Sequence, residues 1–290
     1  MKTITSVSDM WRTTREWRRQ GFTIGLVPTM GFLHDGHVSL IAAARKRADR
    51  VVVTIFVNPT QFGPNEDFAD YPRDAVRDRR LCETAGAAAV FLPDADTFYA
   101  PDHSTWVHED SLTSGLCGVS RPGHFRGVTT VVTKLFNVTL PDIAVFGQKD
   151  AQQALVIKRM TRDLNFPVDI VLAPIVREPD GLAMSSRNVR LAPEERARAL
   201  SIFRGLRAAQ DMFDGGERGT AALMDTVTTT LARSVDDIDY VALVDVETLE
   251  PVETIRGAAL LAVAARVGSV RLIDNCLLGA DGLTASHAGV

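Results

Sequence analysis

The sequence predicts an α/β protein, in which a Rossmann-like, doubly wound parallel sheet is followed by a smaller C-terminal α+β domain. Short apolar runs alternate with helix-like segments over residues 22–176. Because these runs are continuous, they indicate parallel strands buried on both faces. After residue 177 the order changes to two helices followed by further strands. We therefore predict two domains, 1–177 and 178–290.

The elements of the first domain follow from apolar runs that end in turn residues and from apolar positions at helical spacing. The predicted strands are Phe22–Met30, Val51–Pro59, Ala87–Pro93, Ile143–Gly147 and Val168–Val176. The predicted helices are Val38–Asp49, Asp74–Ala85, Val128–Leu140 and Ala151–Leu164. Sheets of this kind bind ligands at the carboxyl ends of their strands. The turns that follow the strands are therefore the candidate functional segments.

The second domain begins with the polar loop 177–188, which interrupts the alternation. The predicted helices are Pro193–Phe213 and Thr220–Ser234, separated by the turn Asp214–Gly216. The predicted strands are Asp239–Val246, Ala258–Ala265 and Val270–Cys276. This combination predicts a small α+β domain.

The composition is that of an ordinary globular chain of 290 residues, with 46% hydrophobic and 23% charged residues. The net charge of −4 argues against nucleic-acid binding, which depends on clustered Lys and Arg. The scattered Cys82, Cys117 and Cys276 have neither metal-ligand spacing nor disulfide density, so we expect a reducing, cytoplasmic setting. We expect no signal peptide, because the first twenty residues have no apolar core. We expect no membrane span, because the longest apolar stretch, Gly257–Ala265, is too short.

The turn Pro28–His37, after the first strand, contains two histidines three residues apart and two glycines. A helix that starts near His37 would present N–H groups and a positive dipole end to phosphate. The alternative is that one histidine caps the helix and the other is solvated. The chain has neither a GxxxxGKS nor a GxGxxG motif, so a nucleotide must be held differently. The turn resembles the His-x-Gly-His signature of nucleotidylyltransferases and class I aminoacyl-tRNA synthetases.

The loop Met184–Asn188 contains two hydroxyls and a guanidinium, which can surround and neutralise a triphosphate. A Ser-Ser-Arg sequence also occurs in ordinary surface turns. With the histidine turn upstream, this loop resembles the mobile Lys-Met-Ser-Lys-Ser loop of the same superfamily. The lysines are absent, so Arg187 would supply the positive charge.

Lys149 lies in the segment Phe146–Gln153, where a strand ends and a helix opens. A cation is unfavourable beside a helix N-terminus, and an anionic ligand there would resolve the conflict. The alternative is a solvated lysine beside an N-capping Asp150.

Two further turns carry amide and imidazole groups. Asn58–Phe62 follows the second strand, where an amide can recognise hydroxyl and carboxylate groups without adding charge, although the segment also fits a plain turn. His124 lies in the Gly-rich turn Arg121–Gly127 before a helix, and we expect it to shape or line the pocket.

Five segments in fixed order resemble the pantothenate synthetase (pantoate–β-alanine ligase) family: PTMGFLHDGH, IFVNPTQF, RPGHFRGV, FGQKDAQQ and DGLAMSSRN. The likeness covers residues 22–195 and continues more weakly to Arg271–Asn275. Two positions depart from some members of the family. Gln148 stands where a glutamate is often found, and Cys117 stands where some members have Glu.

The resemblance implies a ligase that adenylates pantoate with ATP and Mg²⁺, releases diphosphate, and lets β-alanine attack the pantoyl-adenylate to give pantothenate and AMP. The implied catalytic residues are His34, His37, Lys149 and Arg187, with His37 as proton donor. The implied ATP-binding residues are Met30, Gly31, Phe32, Leu33, His34, Asp35, Gly36, His37, Gly147, Gln148, Lys149, Asp150, Val176, Met184, Ser185, Ser186 and Arg187. Gln61 and Gln153 are implied to bind pantoate, and Gln61 to lie near β-alanine. No side chain is assigned as a metal ligand.

The resemblance also implies a homodimer, to which apolar segments such as Val51–Val57 could contribute. An acyl-adenylate is prone to hydrolysis, so we expect a closing loop, and Gly181–Asn188 is the candidate. The two histidines, Lys149, Arg187 and Mg²⁺ would together neutralise the roughly four negative charges of ATP.

Three other functions stay open at this point. A plain nucleotidylyltransferase would share the histidine turn but need more basic residues for a second phosphate. A truncated aminoacyl-tRNA synthetase homologue would need a basic RNA-binding face. A non-catalytic nucleotide sensor would keep an adenine pocket but lose His37 or Lys149, and both are present.

Overall fold

The computed structural model describes residues 1–64 and 66–280, which pack into two compact units. The first unit comprises Met1–Asp110, Arg121–Gly147 and Gln153–Ala173. The second comprises Ser111–Ser120, Gln148–Gln152 and the chain from Pro174 on. The domain boundary after residue 177 stays a prediction, whereas the packing assigns two short earlier segments to the second unit.

The strands and helices up to Ala173 alternate as the sequence predicts. The strands are β1 (Lys2–Ile4), β2 (Ile24–Thr29), β3 (Arg50–Ile55), β4 (Ala89–Phe91), β5 (Ile143–Gly147) and β6 (Asp169–Ala173). The helices are α1 (Val7–Arg19), α2 (Asp35–Arg45), α3 (Ala75–Thr84), α4 (Ala95–Phe98), α5 (Cys117–Ser120), α6 (His124–Thr139) and α7 (Ala151–Asp163). Of these, α5 and the first two residues of α7 belong to the second unit.

The six strands of the first unit form one sheet of order β1-β4-β3-β2-β5-β6, in which every pair is parallel. Leu26 and Val27 are successive residues of β2, so they face opposite sides, and both are fully buried. Both faces of the sheet are therefore covered, which confirms the doubly wound fold class. Val51–Val53 of β3 are buried inside this sheet, and a contribution of the segment Val51–Val57 to a dimer interface stays a prediction.

The chain reverses its direction of winding between β2 and β5. These strands are neighbours, with Gly25 opposite Ile143 and Leu26 opposite Ala144, although more than one hundred residues separate them. Parallel neighbours end at the same edge of a sheet. The turn that follows β2 therefore begins beside Gly147, the last residue of β5.

Two elements at the start of the chain were not predicted. β1 has three residues and pairs with β4 at the edge of the sheet. α1 buries Met10, Thr13, Thr14 and Trp17 along one side, and its remaining surface is strongly charged. Ser6 caps this helix by accepting a hydrogen bond from the backbone N–H of Asp9, at 3.1 Å.

The second unit is the predicted α+β domain. Its helices are α8 (Pro193–Asp214) and α9 (Thr220–Ala232), and its strands are β7 (Asp237–Asp245), β8 (Ala259–Val267) and β9 (Val270–Leu278). The strands form an antiparallel sheet in chain order, and both helices pack on it through a fully buried core that includes Leu223, Val227 and Val263. Within the described ranges, every helix is too short or too polar to cross a membrane.

The docking of α1 can be tested by truncating Met10, which is fully buried. Met10→Ala is expected to lower the free energy of unfolding by about 2–5 kcal/mol, because a buried side chain leaves a cavity. Urea denaturation measures this change. Val76→Ala is the control, since that side chain is 62% exposed. Equal midpoints for the two variants would contradict the packing of α1.

Candidate active site

The turn after β2 has an unusual backbone that a buried carboxylate holds in place. Gly31 and Phe32 have φ of +87° and +48°, in the left-handed region. Asp78 of α3, which is 1% exposed, accepts hydrogen bonds from the backbone N–H groups of Phe32 (2.7 Å) and Leu33 (2.8 Å). Burial raises the pKa of Asp78, and these two hydrogen bonds oppose that shift. Asp78 thus fixes the path of the histidine turn, a role that sequence reasoning missed.

The two histidines meet at the start of α2. The helix begins at Asp35, three residues before the predicted Val38, so His34 is its N-cap residue and His37 lies in its first turn. The His34 backbone N–H donates to Nδ1 of His37 at 3.3 Å, and the two rings are 4.1 Å apart. Because Nδ1 accepts, the neutral His37 ring carries its proton on Nε2. His37 can therefore present a proton donor near a helix N-terminus, where anions bind well.

Gln61 is held in one orientation by its neighbours. It ends a short 3₁₀ turn, Pro59–Gln61, and is 8% exposed. The Asn58 amide donates to Gln61 Oε1 at 3.0 Å, so Gln61 Nε2 points the other way, toward Met30 Sδ at 3.3 Å. Asn58 Oδ1 in turn accepts from the Tyr99 hydroxyl at 3.0 Å. The structure thus brings together Met30 and Gln61, and it adds Asn58 and Tyr99 as supports.

His124 supports the same turn. It is the first residue of α6, so the expectation that it precedes the helix is wrong. Its Nε2 lies 3.0 Å from the Arg121 guanidinium, which can only donate, and its Nδ1 lies 2.9 Å from the Gln61 carbonyl oxygen. His124 therefore carries its proton on Nδ1 and donates to Gln61. Glu66 completes the chain by pairing with Arg121 at 2.7 Å; burial alone would raise its pKa, but Arg121 holds it below the ordinary value.

The predicted lysine segment is a 3₁₀ turn, Gln148–Asp150, that leads into α7. The side chain of Lys149 is 21% exposed, and its Nζ lies 3.8 Å from Asp150 Oδ1. A weak neighbouring contact of this kind leaves the ammonium able to interact with an anionic ligand. Gly147 and Gln153, the other predicted residues of this stretch, belong to the first unit, whereas Gln148–Asp150 belong to the second.

The predicted triphosphate loop is a tight hairpin. Arg177 pairs with Ala183, and the backbone N–H of Met184 donates to the Val176 carbonyl at 3.0 Å, so these two predicted ATP-binding residues lie together. Ser185 caps a 3₁₀ helix, Ser186–Arg190, by accepting from the Arg187 N–H at 3.2 Å.

The hairpin is also anchored along its length, because the Asn188 amide donates to Glu178 (2.9 Å) and to the Ala183 carbonyl (3.1 Å). These hydrogen bonds lie within the hairpin itself, and closure of Gly181–Asn188 over a ligand stays a prediction.

Cys117 occupies a buried polar site in the second unit. Its Sγ lies 3.1 Å from the Tyr240 hydroxyl and 3.6 Å from the Arg271 guanidinium. Arg271 also donates to Asp239 at 2.5 Å. Burial raises the pKa of Tyr240 well above its ordinary value. Cys117 thus shares the guanidinium of Arg271 with Asp239, and its role here is structural.

The predicted site residues form two groups. The first unit brings together Met30–His37, Gln61 and their supports, and the second holds Gln148–Asp150, Val176 and Met184–Arg187. Their convergence on one ligand stays a prediction. Among the described residues, no group of three or more His, Cys, Asp or Glu side chains could hold a metal ion.

Comparison with known proteins gives consistent findings over nearly the whole chain. Residues 2–277 match the family described as Pantoate-beta-alanine ligase. The chain is 56% identical to a pantothenate synthetase of Heliobacterium modesticaldum, over 96% of this chain and 99% of that one. It is also 56% identical to a pantothenate synthetase of Geobacter sulfurreducens, over 97% of this chain and 100% of the relative.

Solved structures agree with these matches. The fold is similar to a pantothenate synthetase from Thermus thermophilus, with a TM-score of 0.89, 44% identity, and coverage of 95% of this chain and 99% of that one. It is also similar to a pantoate-beta-alanine ligase from Francisella tularensis complexed with beta-gamma ATP and beta-alanine. That match has a TM-score of 0.80 and 32% identity, and it covers 98% of this chain and 100% of the other.

The close packing of α6 on the Gln61 turn can be tested at Gly127. A Cβ there would lie 2.5 Å from the Thr60 carbonyl oxygen and 2.6 Å from Gln61 backbone atoms. Alanine gains about 1 kcal/mol of helix propensity, but overpacking against backbone costs about 1–3 kcal/mol. We expect Gly127→Ala to lower the thermal midpoint, whereas Gly257→Ala, which meets nothing within 4 Å, should not. An unchanged midpoint for Gly127→Ala would contradict this packing.

Proposed function

The chain belongs to the pantoate–β-alanine ligase family, and on this premise we propose how its own residues perform the reaction. It is a ligase that uses ATP to join pantoate to β-alanine. The reaction has two steps. A pantoate carboxylate oxygen bonds to the α-phosphorus, and diphosphate leaves with the electrons of the broken P–O bond. The β-alanine amine then bonds to the acyl carbon, AMP leaves, and the amine loses a proton.

The observation that carries the assignment of residues is the strand order. The histidine turn follows β2, and the segment with Lys149 follows β5, its parallel neighbour. Ligands of doubly wound sheets bind where the chain reverses its winding, at the carboxyl ends of such strands. This supports ATP binding at the carboxyl ends of β2 and β5, and we assign Met30–His37 and Gly147–Asp150 to the same nucleotide.

His34 and His37 act on the α-phosphate in this proposal. The first turn of α2 contributes backbone N–H groups and a positive dipole end. Since Nδ1 of His37 accepts from the His34 backbone, Nε2 is the atom that donates to oxygen as negative charge builds up on the departing diphosphate. Asp78 supports this role because it fixes the backbone just before the histidines.

Lys149 and Arg187 neutralise the outer phosphates. Attack by a carboxylate on ATP brings one anion to another, so the site must first offset roughly four negative charges. Val176 and Met184–Ser186 hold the rest of the nucleotide, and Asp150 contacts its ribose. Hydrogen bonds on both sides of Arg187 hold the backbone of its hairpin, from Met184 to Val176 and from Asn188 to Ala183. The guanidinium of Arg187 is therefore carried by an ordered backbone.

Gln61 and Gln153 bind pantoate, and Gln61 also lies near β-alanine. The support for Gln61 is its fixed amide: Asn58 occupies Oε1, so Nε2 is directed away to donate to a ligand oxygen. A neutral donor suits this position, because a cation there would attract the phosphates of ATP in competition with Lys149 and Arg187. Gln153 is half-buried in the first turn of α7.

Mg²⁺ is proposed to arrive with ATP. It commonly binds through one or two carboxylates together with substrate phosphates, not in an all-protein cage. The predicted ATP-binding set offers one carboxylate for this that has no other assigned role, Asp35 in the first turn of α2. Bound there, the ion would reduce the negative charge on the phosphates.

A homodimer and a cytoplasmic location complete the proposal. Trp11 and Trp106 are large apolar side chains that the first unit leaves exposed, and they offer surface to a second copy. Cys82, Cys117 and Cys276 are free thiols, as is usual in a reducing compartment.

The first half-reaction can be tested by diphosphate exchange. Labelled diphosphate is expected to exchange into ATP only when pantoate is present, because adenylate formation is reversible and needs the carboxylate. Lactate, a smaller hydroxy acid, and β-alanine alone serve as controls. Exchange in the absence of pantoate, or exchange that also requires β-alanine, would contradict the adenylate route.

The role of Lys149 can be tested by substitution. Lys149→Ala is expected to slow single-turnover adenylation by several hundredfold, on the scale of a lost transition-state electrostatic contact. Lys46→Ala, which removes the same charge from an exposed position, is the control and should leave the rate unchanged. A loss of tenfold or less for Lys149→Ala counts against the role.

A further inference from the structure

Two adjacent polar residues are buried in the middle of β9. Asp274 is 4% exposed and Asn275 is 3% exposed. Successive residues of a strand face opposite sides, so the pair presents a carboxylate on one face of the sheet and an amide on the other. Buried polar groups are costly unless they form hydrogen bonds, and both residues do so.

Asn275 holds the backbone of the lysine turn. Its Nδ2 donates to the carbonyl oxygens of Gln148 and Lys149, both at 3.0 Å. Its Oδ1 accepts from the Gln148 side-chain amide at 3.3 Å, which fixes the orientation of the Asn275 amide. One side chain thus makes three hydrogen bonds to the turn that carries Lys149.

Asp274 holds the base of the hairpin. Its two oxygens accept from the Arg177 guanidinium at 2.6 and 3.1 Å, in a bidentate pair. The same guanidinium donates to the Gly181 carbonyl at 3.1 Å and lies over the Phe203 ring at 4.7 Å. Arg177 is therefore fixed from three sides, at the start of the hairpin that leads to Arg187.

The two contacts are joined through the strand itself. The Asn275 backbone N–H donates to Asp274 Oδ1 at 2.8 Å. Burial raises the pKa of Asp274, while the charges of Arg177 and, more weakly, Lys149 oppose that shift. A single buried dipeptide therefore connects the two segments of the second unit that are assigned to the triphosphate.

We propose that Asp274 and Asn275 are positioning residues for the adenylation step, because they fix the spacing between the Lys149 turn and the hairpin of Arg187. This inference rests on the proposed function. Neither residue contacts substrate; both act through the backbone that they hold. A displacement of about 1 Å at a reacting site can cost on the order of a hundredfold in rate.

The test uses Asn275→Asp, which keeps the size of the side chain but replaces the donor by an acceptor. Single-turnover adenylation at saturating ATP is expected to fall about 10- to 100-fold. Aminolysis of supplied pantoyl-adenylate by β-alanine should stay within about twofold, because no triphosphate is present in that step. Val263→Ala is the matched control, since Val263 lies opposite Asp274 in the sheet and is fully buried.

A purely structural role predicts a different result. Both half-reactions would then fall together, in Asn275→Asp as in Val263→Ala, in proportion to the folded fraction measured by circular dichroism. That outcome would overturn the proposal while leaving the proposed function intact. A wild-type protein that shows no pantoate-dependent diphosphate exchange would instead overturn the proposed function.

A double-mutant cycle asks whether Asn275 acts through Lys149. In the Lys149→Ala background, Asn275→Asp is expected to slow adenylation by less than about threefold. The reason is that the ammonium group that Asn275 positions is already absent. A further loss of about 10- to 100-fold would contradict the mechanism.

If Asn275→Asp does not fold, Arg177→Lys allows the same comparison of the two half-reactions, now at the base of the hairpin that carries Arg187. It keeps a charge facing Asp274 but cannot bind both carboxylate oxygens and the Gly181 carbonyl together.

Discussion

The reversal of winding between β2 and β5 is the constraint on which the site depends. Their parallel pairing brings the ends of two distant stretches of chain to the same edge of the sheet. One end continues into the histidine turn and α2, and the other into the segment with Lys149. Neither segment alone could neutralise a bound triphosphate, because each supplies only part of the positive charge. In the proposed mechanism, the pairing of these two strands thus determines where the positive charge is assembled.

Within each unit, buried polar side chains hold the backbone next to the residues that are proposed to bind ligands. Asp78 holds the turn before His34, Asn58 fixes the amide of Gln61, and Asn275 holds the turn of Lys149. Each burial is unfavourable in isolation and is offset by specific hydrogen bonds. The gain is preorganisation: donors that already point at their target need little rearrangement when charge develops in the transition state. In the same way, His124 supports the backbone of Gln61.

The sequence predicted all strands from β2 to β9, because their apolar runs are continuous and end in turn residues. It missed α1, since Thr13 and Thr14 occupy the buried side between Met10 and Trp17 and hide the apolar stripe. The segments with His37, Lys149 and Arg187 were found because their motifs are local. The supports were not, because Asp78 is 45 residues from the backbone of Leu33 and Asn275 is 126 residues from that of Lys149. Only the fold brings such pairs within hydrogen-bond distance.

In the proposed mechanism, an imidazole, an ammonium and a guanidinium from three distant segments act on one triphosphate. The most direct measurement is a crystal structure of the protein with pantoate and a non-hydrolysable ATP analogue. Our account predicts that His37 Nε2, Lys149 Nζ and the Arg187 guanidinium each lie about 3 Å from phosphate oxygens of the same nucleotide. A bound nucleotide that any one of the three residues cannot reach would contradict it.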